Sequence, residues 1–457
     1  MADSCLTLFS VTSPVFIPSY IVDLYVKGDM LRKGCLLIVG LCMGLSFPLR
    51  VHADQIVLSL ADALERGIEN SLNLKKNLID LEAAGYSARK LWSEVFPSIS
   101  GSLGASYSSS LLSDARSDGF NGSASLGVNL TLNAGIPYSI KNIRLAYQAR
   151  LLSYEDARNQ LGIQITKNFY SLIADRDNLA VLADMLNLAQ LQHERNRVAF
   201  QNGLVGELTT MQSRLAMENA RYSLSAAKSA YTTRMGDFLV QLGIAQDADA
   251  ALEGKIEIVK IEADAEKLIK DNLARRPDIV SKRQEIERLE NAQKQAVLSS
   301  RAPSLRLEAS WNSRSFDPFT DTISGNATIS IPIDPWIPGT SRSQSVLGAK
   351  YAVDKARLDL QSAEDAAAAQ IRSLAANLRN SWDSIEIARL SLSVAERNHE
   401  LTQQGFRNGT VDSLKLEDAR NNLTTARQRL LQSELMYFNM ILDISAALNI
   451  SWKDLMK

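Results

Sequence analysis

The sequence predicts a mainly α-helical protein that carries a share of a membrane β-barrel, built from one helix, β-hairpin and long-helix-hairpin unit used twice. Three observations carry this expectation. Two long stretches lack proline, two pairs of segments alternate apolar with polar residues, and the second half repeats the first at a fixed offset.

Only 11 of the 457 residues are Pro and 6% are aromatic, a composition that favours helices over a string of compact globular units. Lys and Arg number 50 against 51 Asp and Glu, so the overall charge carries no nucleic-acid footprint and the expected partners are not polyanions. From Met30, Arg32 and Lys33 precede the apolar run Cys35 to Phe47, and Val51-His52-Ala53 gives a small-x-small cleavage site before Asp54. Residues 30–53 therefore read as a signal peptide, with an apolar core too short for a transmembrane helix, and residues 1–29 as an over-extended start. All three cysteines, Cys5, Cys35 and Cys42, precede Ala53, so the mature chain is expected to hold no disulfide and no thiolate metal site.

Residues 193–244 laid on 399–450 at an offset of 206 give 15 identities in 52 positions, among them His193/His399, Phe200/Phe406, Asn202-Gly203/Asn408-Gly409, Arg214/Arg420 and Tyr231/Tyr437. Such ungapped self-similarity marks a tandem duplication. Pro97-Ser98-Ile99 and Pro303-Ser304-Leu305 keep the same offset. The expected organisation is a first repeat over 54–244, a linker over 245–263 and a second repeat over 264–457. Residues 144–200 and 344–406 contain no Pro, and at 1.5 Å per residue each makes a helix of about 85 to 95 Å. Leu416, Ala419, Leu423, Ala426, Leu430, Ser433 and Tyr437 step by three and four, the seam of a coiled-coil-like packing. In the acidic linker, Ile256-Glu257-Ile258 hints at a short strand.

Four segments, about 98–111, 122–133, 304–313 and 326–334, alternate with period two. Leu103, Leu126, Val128, Leu130, Leu307, Ile329 and Ile331 stand on their apolar faces, opposite mostly Ser, Asn and Thr. Strands of about ten residues with one apolar and one small polar face fit a transmembrane barrel with lipid outside and water inside. Soluble half-buried hairpins alternate in the same way. Four strands cannot close a barrel, and open edges in hydrocarbon leave N–H and C=O groups unpaired, so the barrel must be shared between copies. Aromatic residues near the strand ends, Phe96, Phe120, Tyr138, Phe316, Phe319 and Trp336, suit an interfacial girdle.

The duplicated helix, two-strand, long-helix pattern with Asn-Gly tips resembles the TolC family of outer-membrane efflux proteins over the whole mature chain. Local echoes are Arg276-Pro277-Asp278, Phe96-Pro97-Ser98-Ile99, Gly203-Leu204-Val205 and Gly409-Thr410-Val411. The resemblance implies a homotrimer in the outer membrane of a Gram-negative bacterium. Its twelve-stranded barrel would be continued by a periplasmic helical barrel. It implies a passive exit duct of a tripartite efflux or type I secretion system, fed by an inner-membrane pump through a periplasmic adaptor. The tips Asn202, Gly203, Leu204, Val205, Asn408, Gly409, Thr410 and Val411 are the implied adaptor contacts. Where relatives carry acidic rings at a narrowed entrance, this chain has Lys415 and Asp418, with Asp412 and Glu417 nearby and Arg214 and Arg420 as candidate latches. The alternative is a periplasmic coiled-coil adaptor or scaffold without a pore, which needs one hairpin rather than two.

No catalytic constellation, nucleotide fingerprint or cofactor motif appears, and no enzyme activity, cofactor or metal is expected. His193 and His399 are each followed by Glu at matching repeat positions, as duplication alone produces.

Overall fold

The computed structural model describes residues 56–108, 119–314 and 320–455. The expected signal peptide, Leu111, Phe316 and Phe319 lie outside the described residues. Elements follow in the order β1 (Ile56–Leu58), α1 (Leu60–Asn70), α2 (Leu72–Arg89), β2 (Ser98–Ser108), β3 (Gly119–Asn133), α3 (Ile136–Gln201) and α4 (Glu207–Gln241). After β4 (Ala250–Leu252) come α5 (Ala265–Asn272), α6 (Pro277–Arg301), β5 (Ser304–Arg314), β6 (Thr320–Ser330), α7 (Ser341–Arg407), α8 (Ser413–Leu448) and α9 (Trp452–Leu455).

The two long helices, α3 with 66 residues and α7 with 67, each extend about 100 Å. No tertiary unit of this length could rest on propensity alone, and both are held by heptad seams. On α7, Ala367, Ile371, Leu378, Ser381, Ile385 and Ala388 are buried at alternating steps of four and three, with half-buried Leu374 completing the pattern. They meet Tyr437, Ile441, Ile444 and Leu448 of α8. Side chains cap the starts of several helices. Ser59 and Asp62 form a capping box on α1, Thr340 accepts from Ser343 N at the head of α7, and Asp412 accepts from Lys415 N at 2.8 Å to open α8.

One apolar cluster joins β1, α1, α3, α4 and β4 through Leu58, Ile165, Phe169, Phe238, Leu242 and Leu252. A second joins α7, α8 and the 258–269 segment through Ile371, Leu378, Tyr437, Ile441 and Leu448. The linker strand lies at Ala250–Leu252, paired in parallel with β1, and not at the expected Ile256–Ile258. Its position is set by a partner almost 200 residues upstream. The linker also does structural duty. Arg176 donates to the Leu252 carbonyl at 2.9 Å and the Gly254 carbonyl at 3.1 Å.

The four longer strands form one antiparallel sheet in the order β2-β3-β5-β6, leaving β2 and β6 as edges. β6 runs over Thr320–Ser330 rather than 326–334, and Ile331 falls beyond it. Pro332 has no N–H to give a ladder, and the chain passes into a short 3-10 turn at Asp334–Trp336. No helix among the described residues is long and apolar enough to cross a membrane.

Candidate functional site

The sheet places the apolar residues of all four strands in phase. Val128 lies opposite Ile99 and Ala309, Leu126 opposite Trp311, Leu130 opposite Leu307, and Leu305 opposite Ile329. A slip of one residue would put every one of these on the other face, so the apolar face is a property of the register. It stands open: Leu103 is 89% exposed, and Leu126, Val128, Leu307, Ile323 and Ile329 are exposed as well. Ile331 is also exposed, on irregular chain beyond the strand.

The opposite face is polar and internally bonded. Ser102 and Ser125 share a hydroxyl hydrogen bond of 2.7 Å, Ser310 and Ser324 one of 2.9 Å, and Ser98 Oγ donates to the Asn129 carbonyl at 3.1 Å. Glu308 and Arg306 stand on this face, opposite Asn129 and Thr131. Arg314, opposite Ser123, also lies on this face, whereas Asp321, opposite Ser313, lies in phase with Ile323 near the far end of the apolar one. At the helical end of the sheet the Arg301 guanidinium sits 4.9 Å from the centre of the Trp336 ring.

At the far ends of the long helices, both hairpins turn through glycine. Gly203 and Gly409 have φ of +71° and +74°, a region open to glycine without cost. Asn202 and Asn408 cap the preceding helices at negative φ, and the chain then bonds back, Leu204 N to Ala199 O and Thr410 N to Gly405 O. Leu204 is 75% exposed, and Leu208 and Leu414 are exposed beside it. Val205 and Val411 are half-buried.

Of the residues expected at an entrance, Lys415 and Asp418 are exposed and Glu417 is half-buried. Asp412 is occupied as the α8 cap. Arg214 is exposed, whereas its repeat counterpart Arg420 is only 8% exposed, and neither makes an ion pair among the described residues. Burial, opposed by Arg420 and reinforced by Asp418, holds the Glu417 carboxyl above its ordinary range. Burial, then Arg420 and Arg427, depress the His399 imidazolium. His193 bonds through Nδ1 to Ser213 Oγ at 3.2 Å.

Asn196 belongs to none of the sequence motifs. It is buried where α3 meets α4 and α8, and the step Leu182, Ala189, Asn196 by sevens is the signal that places a polar residue in the seam.

An apolar face in phase across four strands, two open edges and paired helices about 100 Å long define a membrane duct protein rather than a soluble scaffold. The chain belongs to the outer membrane efflux protein family, whose model matches residues 63–236 and 268–449, one block per repeat. It is similar to the toluene efflux pump outer membrane protein TtgC and the antibiotic efflux pump outer membrane protein ArpC, both of Pseudomonas putida. Each is 22% identical over 411 residues, which are 86% of this chain and 83% of the relative. Among solved structures, the Campylobacter jejuni CmeC outer membrane channel matches with a TM-score of 0.70 at 19% identity, over 85% of either chain. The Vibrio cholerae outer membrane protein VceC matches with 0.69 at 16%, over 86% of this chain and 96% of that one. The fold is thus that of outer-membrane efflux channels, the protein is an outer-membrane exit duct, and the family is one of transport channels rather than of enzymes. The pore-free adaptor alternative is set aside by the same membership.

Proposed function

We propose that three copies close a twelve-stranded barrel, continue it as a periplasmic helical tunnel, and receive substrate from an inner-membrane pump through an adaptor that grips the hairpin tips. The observation that carries this is the pair of open edges, β2 and β6, on a sheet whose apolar face is in phase. In hydrocarbon each unpaired backbone group costs several kcal/mol, so β6 of one copy must pair with β2 of the next. Closed transmembrane barrels start at about eight strands, and multiples of four leave eight or twelve as the small solutions.

The duplication indicates how the helices close. Within one chain, α3 packs against α6 and α8. Its repeat counterpart α7 has a free face carrying exposed Tyr351, Leu358, Ile387, Leu390 and Val394, while α2 and α4 offer Ile79, Tyr86, Met211, Leu215 and Tyr222. Copy-to-copy packing of these faces repeats the α3 arrangement and removes both stripes from water. At the tips, Leu204, Leu208 and Leu414 give a coiled-coil adaptor an apolar foothold. At the constricted end, Lys415 beside Asp418 sets opposite charges on the first turns of α8, which cancels a simple cation filter. The polar lumen of small side chains filters weakly, so the pump and adaptor select the cargo.

Cysteine pairs placed across β2 and β6 test the closure, because residues 54–457 contain no native cysteine. Oxidation should yield a covalent trimer in heated detergent gels. Monomer at every register would overturn the shared barrel. A photo-crosslinker at Leu204 or Thr410 should capture the adaptor, and failure there with intact trimers would remove the tips from the contact.

A further inference from the structure

We infer that the foot of β6, where the sheet passes into the helices, binds an anionic glycerophospholipid of the periplasmic leaflet, its phosphate on Arg301 and its acyl chains along Ile331 and Ile333. β6 ends at Ser330, and the segment that follows, Ile331-Pro332-Ile333-Asp334-Pro335-Trp336-Ile337-Pro338, has proline at every third position. Proline fixes φ, so this run holds its shape without a ladder. Pro335 is buried as its anchor, while Ile331, Ile333, Trp336 and Ile337 are all exposed, Ile333 at 72%. Large apolar side chains held rigidly in the open mark a binding surface.

Arg301 supplies the charge. It closes α6, its guanidinium lies 4.9 Å from the centre of the Trp336 ring, and its Nε is buried with no partner. No carboxylate or carbonyl accepts from this guanidinium among the described residues, and none accepts from the Trp336 indole N–H. The acid of the segment, Asp334, is already paired with Arg342 at 3.0 Å. A guanidinium resting on an aromatic ring still presents its N–H edge to an anion.

Position chooses the occupant. β5 and β6 have 11 residues each, the length that crosses a hydrocarbon layer, so their ends lie at its boundary. At the helical end that boundary is the periplasmic one, where the leaflet is phospholipid. Isoleucines following Ile329 of the apolar face, then an indole, then a free cation, match in order the acyl chain, glycerol and phosphate of a lipid. An anionic headgroup satisfies Arg301, whereas a zwitterionic one brings an ammonium of its own. The other edge strand, β2, has a foot of the same make: exposed Trp92 and Phe96 pack edge to face beside Arg89 and Lys90, with Glu94 as the acid. The site rests on the outer-membrane placement and not on the number of copies.

The test is native mass spectrometry of the detergent-purified protein titrated with phosphatidylglycerol or phosphatidylethanolamine of the same acyl chains. The parent should hold phosphatidylglycerol about fivefold more tightly, the attraction of one basic residue to an anionic lipid surface. Arg301→Gln should erase that preference, and Lys228→Gln, which removes an exposed cation of α4, should bind as the parent does. Ile333→Ser should weaken both lipids while keeping the preference, and it reads the site even where Arg301→Gln fails to assemble. Glycerol phosphate, which has the headgroup without chains, should not displace the lipid at millimolar concentration. Equal retention of the two lipids by the parent, a preference that survives Arg301→Gln, unchanged binding in Ile333→Ser, or displacement by glycerol phosphate would overturn the assignment.

Discussion

Leu130 lies directly opposite Leu307 where β3 meets β5, so the two repeats join with their apolar faces in phase. Among the described residues this junction is the only one in the sheet that crosses from one repeat to the other. It converts two hairpins into one continuous apolar surface.

Val128→Arg or Leu130→Arg should cost about 2 to 4 kcal/mol of membrane stability at mid-depth and lower the yield of assembled trimer in outer-membrane fractions. Asn129 lies opposite Glu308, where an acidic substitution would meet a like charge. The polar-face control is therefore Ser125→Asp, opposite Ser102 and Asn312, and it should assemble normally. Equal losses on both faces would reverse the assignment.

The Tyr437 hydroxyl accepts from Ile261 N and donates to the Val259 carbonyl, each at 2.9 Å, which holds the linker on α8. Tyr437→Phe leaves both groups without a partner and should cost about 1 to 3 kcal/mol, read as earlier heat dissociation of the trimer. An unchanged midpoint would mean that water replaces the hydroxyl.

A side chain at Gly409 meets nothing within 4 Å, so only its backbone resists substitution. Gly409→Val should cost about 1 to 2 kcal/mol, and Gly409→Asn, a residue that tolerates the left-handed region, much less. Gly405 differs, since a Cβ there would stand 2.6 Å from Val411 Cγ2, and Gly405→Ala should shift the tip itself. Thermal midpoints with adaptor crosslinking separate the two effects.

Glu417 and His399 should tilt the pH profile in opposite senses. The raised Glu417 carboxyl adds stability that is present below its ordinary value of 4.5 and is lost as pH rises through the folded value. The lowered His399 value means that the unfolded chain takes its proton first as pH falls through 6.5, so acid weakens the fold. Glu417→Gln should then flatten the acid-side gain, and His399→Gln should remove the acid-side loss, in midpoints taken between about pH 7.5 and 4. Parallel shifts of both variants would discard the assignment.

Local periodicity made much of this architecture readable. The alternation of Leu126, Val128 and Leu130 announced β3 and its faces, and the seam from Leu416 to Tyr437 announced how α8 packs. What could not be read depends on distant partners or on backbone chemistry. β4 settles at Ala250–Leu252 because β1 waits there, and β6 ends before Ile331 because Pro332 cannot extend a ladder. Arg214 and Arg420 look alike as repeat partners, yet only Arg420 is buried. Arg420 lies on the α8 side turned toward α3 and α4, whereas Arg214, though next to buried Ser213, lies on an exposed side of α4.

Single-channel conductance of the detergent-extracted protein in a planar bilayer tests the duct most directly. Discrete conductance steps should appear from the trimeric fraction and vanish in Leu130→Arg. A protein that stays soluble without detergent and never conducts would contradict the duct.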